Sequence, residues 1–563
     1  MSPADEIKTH RIAHELMSTP PEQGYLTISN ALKRRLRYGR LISQAGVVQG
    51  VNRIHQIMAS AKLGSQPDEF GDFQTPSILA ERVCTLLADT GYQPTSLLEP
   101  TCGVGNFLIA ALDRFPQVNF GLGLDINEEY LHRLSEKISA KSYDDKVKLL
   151  HENFFNVDWS HLLRKLTEPI LVVGNPPWVT NSTLGTLGSS NLPKKSNFQN
   201  FNGLDAITGK SNFDISEWMI IKLLELLDGR QATVAMLCKT AVARKVLTHA
   251  WKNDLSLTDS EIHPIDAAES FGAAVDACLL ICELSRTGHN KNCRVHRELG
   301  LSDSSSTFGY HDGRLIADVA AYERWKHLSG KEIYKWRSGV KHDCSKVMEL
   351  RKEGERYRNG HDEIVELEDD YLFPMLKSSE ITNGRSKEPS RWMLLTQTAV
   401  GDETSVISII APKTWQYLLN QAHLLDRRAG SIYRNRPRFS IFGVGDYTFA
   451  PWKVAISGFY KQLKFATVGP YEGRCVVLDD TSYFTACECE EEARFIAGLL
   501  NSSPAREFYS SFIFWDSKRP ITIDTLSKLD LSLLSDELGC TAEFDRFRAM
   551  KRKNQSYRQT ELF

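Results

Sequence analysis

The sequence predicts a doubly wound α/β domain of about seven strands, joined to a separate α+β domain. Three observations carry this. Between roughly residues 70 and 285, short β-favouring runs alternate with helical stretches, the pattern of a largely parallel sheet covered by helices. The first four runs each lead into a polar side chain at the carboxyl end, roughly 20 to 30 residues apart, as βα units require. Past Trp336 the alternation gives way to short segments rich in aromatic and basic residues.

Residues 1–66 read as a helical extension. Its basic cluster, Lys33-Arg34-Arg35-Leu36-Arg37, suits a solvated packing face or a contact to a nucleic-acid backbone or partner. The first large domain is expected over 67–290. Thr75 is placed as an N-cap with Pro76 at the first helical position, and the helix over 77–88 should turn Ile78, Leu79, Val83, Leu86 and Leu87 inward. Ser96-Leu97-Leu98-Glu99-Pro100 reads as a short strand ending in an acid, followed by the glycine turn Thr101-Cys102-Gly103-Val104-Gly105-Asn106-Phe107 and a helix from Leu108. Glycine lets backbone approach a ligand, and a helix start offers N–H groups. The third glycine of the dinucleotide fingerprint is missing; Leu108 stands there.

A second strand over 120–125 ends at Asp125, with Ile126 behind it. Nucleotide-binding α/β folds place such an acid on the ribose hydroxyls. A third runs from Val147 to Asn153 and Phe154, a side chain for an adenine edge and a ring for its face. The fourth, Ile170-Leu171-Val172-Val173-Gly174, delivers Asn175-Pro176-Pro177-Trp178. Residues 181–213 are rich in Ser, Gly and Asn, with Lys194, Lys195 and Lys210, and are expected to form a substrate loop. A helix over 214–227 and a strand over 232–238 follow. Strands around Glu261-Ile262-His263 and over 277–282, the latter preceded by Phe271, complete the sheet.

Composition narrows the class. With 563 residues, 42% hydrophobic and 25% charged, the chain is an ordinary globular protein of two or three domains. It has no apolar run of about 18 residues, so no membrane span is expected, and its start lacks the pattern of a signal peptide. Eleven cysteines are scattered, which suits a reducing cytoplasm. The close pairs Cys278/Cys282 and Cys487/Cys489 lack zinc-knuckle spacing, so no metal is expected.

The tetrapeptide Asn175-Pro176-Pro177-Trp178 suits a flat ring bearing an amino group. Each proline fixes its own φ and restrains its predecessor, so the carbonyl directions are set. The Asn175 amide oxygen and the Pro176 carbonyl can accept from one exocyclic NH2, and the Trp178 indole can lie on the ring. Methyl transfer to a base amino group is the foremost chemistry that needs this.

Together, Leu98-Glu99-Pro100-x-Cys102-Gly103-x-Gly105-x-Phe107, Asp125, Asn175-Pro176-Pro177-Trp178 and Phe271 resemble the amino-methylating DNA methyltransferases. The cofactor motif precedes the catalytic motif, as in the gamma arrangement of restriction–modification enzymes. The resemblance implies the class I S-adenosyl-L-methionine-dependent methyltransferase fold over roughly 70–285 and N6-adenine as the target. It places S-adenosyl-L-methionine on Gly103 and Gly105 with its ribose at Asp125. Thr75, Glu99, Pro100, Ile126, Asn153, Phe154 and Asn175 line the rest of the pocket, Phe73-x-Thr75-Pro76 matching the group's first motif. Asn153 stands where the group usually has Asp, and Trp178 where it has Tyr or Phe.

After a connector over 291–330, the segments 338–344, 374–379, 439–447 and 514–520 look similar to the C-terminal specificity domain of gamma-type adenine methyltransferases, expected over 331–535, with a mobile basic tail over 536–563. Between Arg427 and Lys464 the chain has eight Lys or Arg, one acid and eight aromatics. Arg427, Arg428, Arg434, Arg436 and Arg438 are expected at phosphates or guanine edges, with Lys377, Lys461 and Lys518 adding backbone charge. Partners implied are double-stranded DNA and a cognate restriction endonuclease or defence subunits. Rival readings are an N4-cytosine enzyme, an RNA or protein-glutamine methyltransferase, and a non-catalytic DNA-binding subunit.

Overall fold

The computed structural model describes residues 74–179, 214–300, 304–331, 333–386 and 388–560. The expected helical extension and substrate loop lie outside them, as does Phe73. Residues 73–563 form one compact unit.

The chain begins with α1 (Ser77–Asp89), β1 (Ser96–Glu99), α2 (Asn106–Arg114), β2 (Phe120–Asp125), α3 (Glu128–Ala140), β3 (Val147–His151), α4 (Trp159–Leu163) and β4 (Ile170–Gly174). It continues with α5 (Ile215–Leu226), β5 (Ala232–Lys239), α6 (Thr240–Lys252), β6 (Leu257–Ile265), α7 (Ala267–Phe271), β7 (Ala277–Leu284), β8 (Asn292–His296), β9 (Ser304–His311) and β10 (Arg314–Ile316). These strands make one sheet in the order β10-β9-β8-β6-β7-β5-β4-β1-β2-β3. Strands β1 to β6 run parallel, and β7 is antiparallel to both β5 and β6. The segment β3-β2-β1-β4-β5-β7-β6 is the seven-stranded core expected from the sequence.

Alternation along the strands divides the interior in two. Leu97, Leu171, Val173 and Leu237 face Leu79, Val83, Leu87, Phe107 and Leu134 of α1, α2 and α3. Leu98, Val172 and Met236 face Leu163, Ile220, Leu224, Val246 and Trp251 of α4, α5 and α6. Because both faces are covered, β4 is buried at all five positions and reads as an unbroken apolar run. Each fully buried Leu, Ile or Val stabilises the sheet by ~1.5–3 kcal/mol. Helix α3 opens on Asn127, whose side chain accepts from the Glu129 and Tyr130 N–H groups.

Several expectations are corrected. Pro76, not Thr75, is the N-cap of α1, and no side chain caps that end. Ile78 is 70% exposed, and Ala80 and Cys84 take the inward positions. The connector carries β8, β9 and β10, with β8 parallel to β6 and β9 antiparallel to β8. Polar Ser and Thr side chains masked these strands, because the start of β9 is exposed.

The second half is α+β, as expected. One sheet has the order β11-β20-β17-β18 and another β14-β13-β12-β16-β15-β19, where β11 is Arg337–Ser338, β12 Glu349–Glu353, β13 Arg356–Arg358, β14 Ile364–Val365, β15 Leu372–Leu376, β16 Arg391–Leu394, β17 Trp452–Ser457, β18 Ala466–Val468, β19 Val477–Leu478 and β20 Ser482–Cys487. The tail is helical over Thr541–Thr560 and its first part is docked. Phe544 and Phe547 are buried, Lys551 Nζ donates to the Ala486 carbonyl in β20, and Arg546 pairs with Glu491. Two phenylalanines on one face outweigh the basic composition. Among the described residues no helix is long and apolar enough to cross a membrane.

Candidate active site

The glycine turn between β1 and α2 is a cradle built from backbone. Gly103 and Gly105 have φ of 49° and 76°. A Cβ at Gly105 would fall 2.1 Å from Leu134 Cδ1, and one at Gly103 would fall 2.6 Å from Gln74 Oε1. Torsion favours glycine at both positions, and at Gly105 the buried Leu134 leaves no space for a side chain either. The Cys102 N–H donates to the Leu124 carbonyl, which ties the turn to β2.

Two acids brace the cradle. Asp125 Oδ2 accepts from the Gly103 N–H at 2.7 Å and Oδ1 from the Asn127 N–H at 2.8 Å. Glu99, 3% exposed, accepts from the Leu108 N–H at 2.8 Å through Oε2, meeting the start of α2 where anions are favoured. Burial nevertheless holds the Glu99 carboxyl well above its ordinary range, and the nearby Asp125 charge adds to this. Thr101 Oγ1 is buried without a hydrogen-bond partner, a polar group available to a ligand. A cradle that excludes Cβ atoms, a helix start, two acids and an unsatisfied hydroxyl fit a nucleoside carrying a charged amino-acid chain.

Residues that sequence reasoning missed complete this region. Gln74 Oε1 accepts from the Val104 N–H, Asn106 Nδ2 donates to the Thr75 carbonyl, and Lys137 Nζ donates to the Val104 carbonyl and Asn106 Oδ1. Asn106 lay inside the glycine motif and so could have been singled out. Gln74 and Lys137 carry no local signal. Ile126 is 43% exposed beside Asp125.

Past β3 the outcome is mixed. Asn153 Oδ1 accepts from the Phe155 N–H at 2.9 Å, so that oxygen closes its own turn. Phe154, expected on an adenine face, is instead packed in the core at 5% exposure, 4.7 Å from the Trp159 ring. An aromatic cluster with Trp159 and Trp218 draws it inward.

Strand β4 lies beside β1, with Leu98 opposite Val172. A Cβ at Gly174 would sit 3.5 Å from Glu99 Cγ, so the turn Asn175-Pro176-Pro177-Trp178 starts next to the cradle. Asn175 and Pro177 are half-buried, and Pro176 and Trp178 are buried. Trp178 Nε1 donates to the Leu237 carbonyl of β5 at 3.4 Å. Its ring meets Phe271 edge to face, with centroids 5.2 Å apart and planes at 71°. The two rings expected to flank a base are thus neighbours, but no parallel-sided slot lies between them in this conformation. Lys239 Nζ, at the end of β5, donates to the Trp178 carbonyl at 2.9 Å and to Asp214 Oδ2 at 2.6 Å.

The basic island in the second half divides by environment. Arg427, Arg434 and Arg436 are exposed, as are Lys461 and Lys518. Arg428 turns inward: it donates to the carbonyls of Leu425, His342 and Ser440 and lies 3.9 Å from the Tyr433 ring centroid. Arg438 pairs with Asp426 at 2.7 Å, and Lys377 with Glu349 at 2.6 Å. The positions expected at DNA therefore include one half-buried arginine engaged with main-chain carbonyls and two residues already held by acids. Composition counts charges without their partners, so it could not separate them.

Among the described residues one cluster, Glu261, His263 and His296, has three side chains of metal-ligating type. Its geometry is a cross-strand ladder. The two imidazoles stack with centroids 4.0 Å apart and planes at 6°, so their in-plane lone pairs do not converge on one point. Glu261 accepts from His263 and pairs with Arg294.

Comparison with known proteins adds the following. The chain is 47% identical over 468 residues to the Type II methyltransferase M.NspV of Nostoc sp. (strain ATCC 29411 / PCC 7524), covering 83% of this chain and 97% of that protein. A family model described as Type II restriction enzyme NspV matches residues 1–53. The restriction enzyme NspV from the same organism is 48% identical over 54 residues, 10% of this chain and 24% of that protein. The solved structure of the Type IIL restriction-modification enzyme MmeI in complex with DNA is similar at 15% identity, with a TM-score of 0.47, covering 80% of this chain and 64% of that one.

Proposed function

The chain belongs to the type II DNA methyltransferases of restriction–modification systems, and from that premise we propose that it methylates the N6 amino group of a flipped-out adenine at a fixed duplex sequence. S-adenosyl-L-methionine is the cofactor and supplies, when bound, a methyl group on a sulfonium centre. The observation that carries the reading is the placement of the Asn175 turn at the end of β4, against Glu99 and the glycine cradle of β1.

An adenine N6 is a weak nucleophile because its lone pair is delocalised into the ring. Asn175 Oδ1 and the Pro176 carbonyl accept its two N–H bonds and turn the lone pair out of conjugation. The same oxygens stabilise the positive charge that develops on nitrogen, which is electrostatic preorganisation, and the N6 proton that the methyl group replaces is released to solvent. Gly103, Gly105 and Asp125 hold the cofactor. The N6 atom is unreachable within a duplex, so the base is extruded and flanked by Trp178 and Phe271, whose rings open from their edge-to-face contact to admit it. Exposed Arg427, Arg434, Arg436, Lys461 and Lys518 contact the duplex. A cognate restriction endonuclease cuts the same site when it is unmodified.

The test is mass analysis of nucleosides from DNA methylated by the purified protein. N6-methyladenine is expected; N4-methylcytosine alone overturns the choice of base. Asn175→Ala should lose about 10²–10³-fold in methyl transfer while still binding cofactor. Parental activity in that variant would rule out the mechanism.

A further inference from the structure

We propose that Lys239 is a positioning residue for methyl transfer, acting through the Trp178 peptide and set in place by Asp214. The inference rests on the reaction just described and deepens it. Trp178 is held by β5 from two sides. The Leu237 carbonyl takes its indole N–H, and the Lys239 ammonium, two residues further along the strand, donates to its main-chain carbonyl. With both ends of one residue tied to β5, the peptide that closes the Asn-Pro-Pro turn has a fixed plane. That plane sets where the indole lies against Phe271 and how the turn leaves Asn175.

Asp214 makes this geometry specific. It is 6% exposed and uses both carboxylate oxygens. Oδ1 accepts from the Ser216 N–H and hydroxyl, capping α5, and Oδ2 takes Lys239. The Ile215 N–H donates to the Val179 carbonyl at 2.8 Å, so the start of α5 is joined directly to the residue after Trp178. The ammonium therefore sits at a junction of three segments: the end of β4, the start of α5 and the end of β5. A charge-assisted bond to a carbonyl is about twice as strong as a neutral one, and a half-buried ammonium needs a counterion to remain there. The counterion has a second consequence. Nitrogen gains positive charge as the methyl arrives, and an uncompensated cation one residue from Asn175-Pro176-Pro177 would oppose that step; Asp214 cancels it.

Lys239→Met keeps the aliphatic stem and removes both bonds. In single-turnover methylation of a cognate duplex at saturating cofactor, its rate is expected to fall about tenfold or more, equivalent to ~1.4 kcal/mol. Cofactor affinity by calorimetry should stay close to the parent, while the melting temperature falls because the buried Asp214 carboxylate loses its counterion. Lys239→Arg, which restores a donor, should recover most of the rate. A Lys239→Met rate within about twofold of the parent, a change far below the tenfold that 1.4 kcal/mol represents, would overturn the assignment. So would a loss of rate matched by loss of cofactor binding and not rescued by Arg. Asn175→Ala measured alongside keeps the two readings apart. Loss there with parental Lys239→Met sinks only the Lys239 role, whereas parental activity in both sinks the reaction as well.

Discussion

Replacing Gly105 with Ala tests the cradle at the point where torsion and space coincide. The residue sits at φ 76°, and an L side chain there costs about 1–2 kcal/mol. Its Cβ would lie 2.1 Å from Leu134 Cδ1 and 2.7 Å from Cδ2, where carbon atoms prefer about 3.5–4.0 Å. Leu134 is fully buried and packed under α2, so it cannot swing aside, and such overpacking costs about 1–3 kcal/mol. The sum is about 2–5 kcal/mol, carried by the glycine turn proposed to hold the cofactor. Thermal melts should drop, and calorimetry should show cofactor affinity weakened about tenfold or more for each 1.4 kcal/mol of distortion transmitted. Two controls separate the terms. Gly91 has φ 80° with nothing within 4 Å of an added Cβ, so Gly91→Ala should show the torsional cost alone and leave cofactor binding untouched. Leu134→Ala costs about 2–5 kcal/mol by itself, yet in the double variant it should return about 1–3 kcal/mol by making room. A Gly105→Ala protein with parental melting and affinity would refute the reasoning.

Three further outcomes follow from charge. The hydrogen bond from His263, with the Arg294 guanidinium, holds Glu261 at about 2, below the usual 4.5. The stability from that depressed carboxylate is present above about 4.5 and lost as pH falls through about 2, so Glu261→Gln should melt below the parent at pH 7, with the gap closing over that window; a gap independent of pH would contradict it. Arg436→Ala should weaken DNA binding and lower the salt-dependence slope by about 0.9 for each phosphate that Arg436 neutralises, measured by titration at several ionic strengths. Arg428→Ala should instead lower the melting temperature, because three partly buried carbonyls lose their donor.

The first half was legible because its signals are local and repeat. Strands β2 and β4 sit where their apolar runs place them, and Gly103 and Gly105 take the left-handed torsions that a turn before a helix needs. What stayed hidden depends on partners distant in sequence. Lys239 reads as an ordinary residue at a strand end until Asp214 and Trp178 are seen around it. Phe154 looks like a ligand-facing ring until Trp159 and Trp218 pull it inside. Strands β8 to β10 were obscured because many of their side chains are polar and only a few apolar ones, among them Cys293, Phe308 and Ile316, mark the buried face.

The ladder from β3 through β10 bears on how target choice could be re-engineered. The last rungs are not slack between two halves: just past β10, the Ala317 N–H donates to the Ser511 carbonyl, and Trp325 and Arg324 both reach Glu507. A hybrid spliced near residue 290 would therefore strip three rungs from one parent and leave the other a mismatched joint. A splice placed beyond Trp325, carrying the matching 503–511 segment from the same parent, keeps that joint whole.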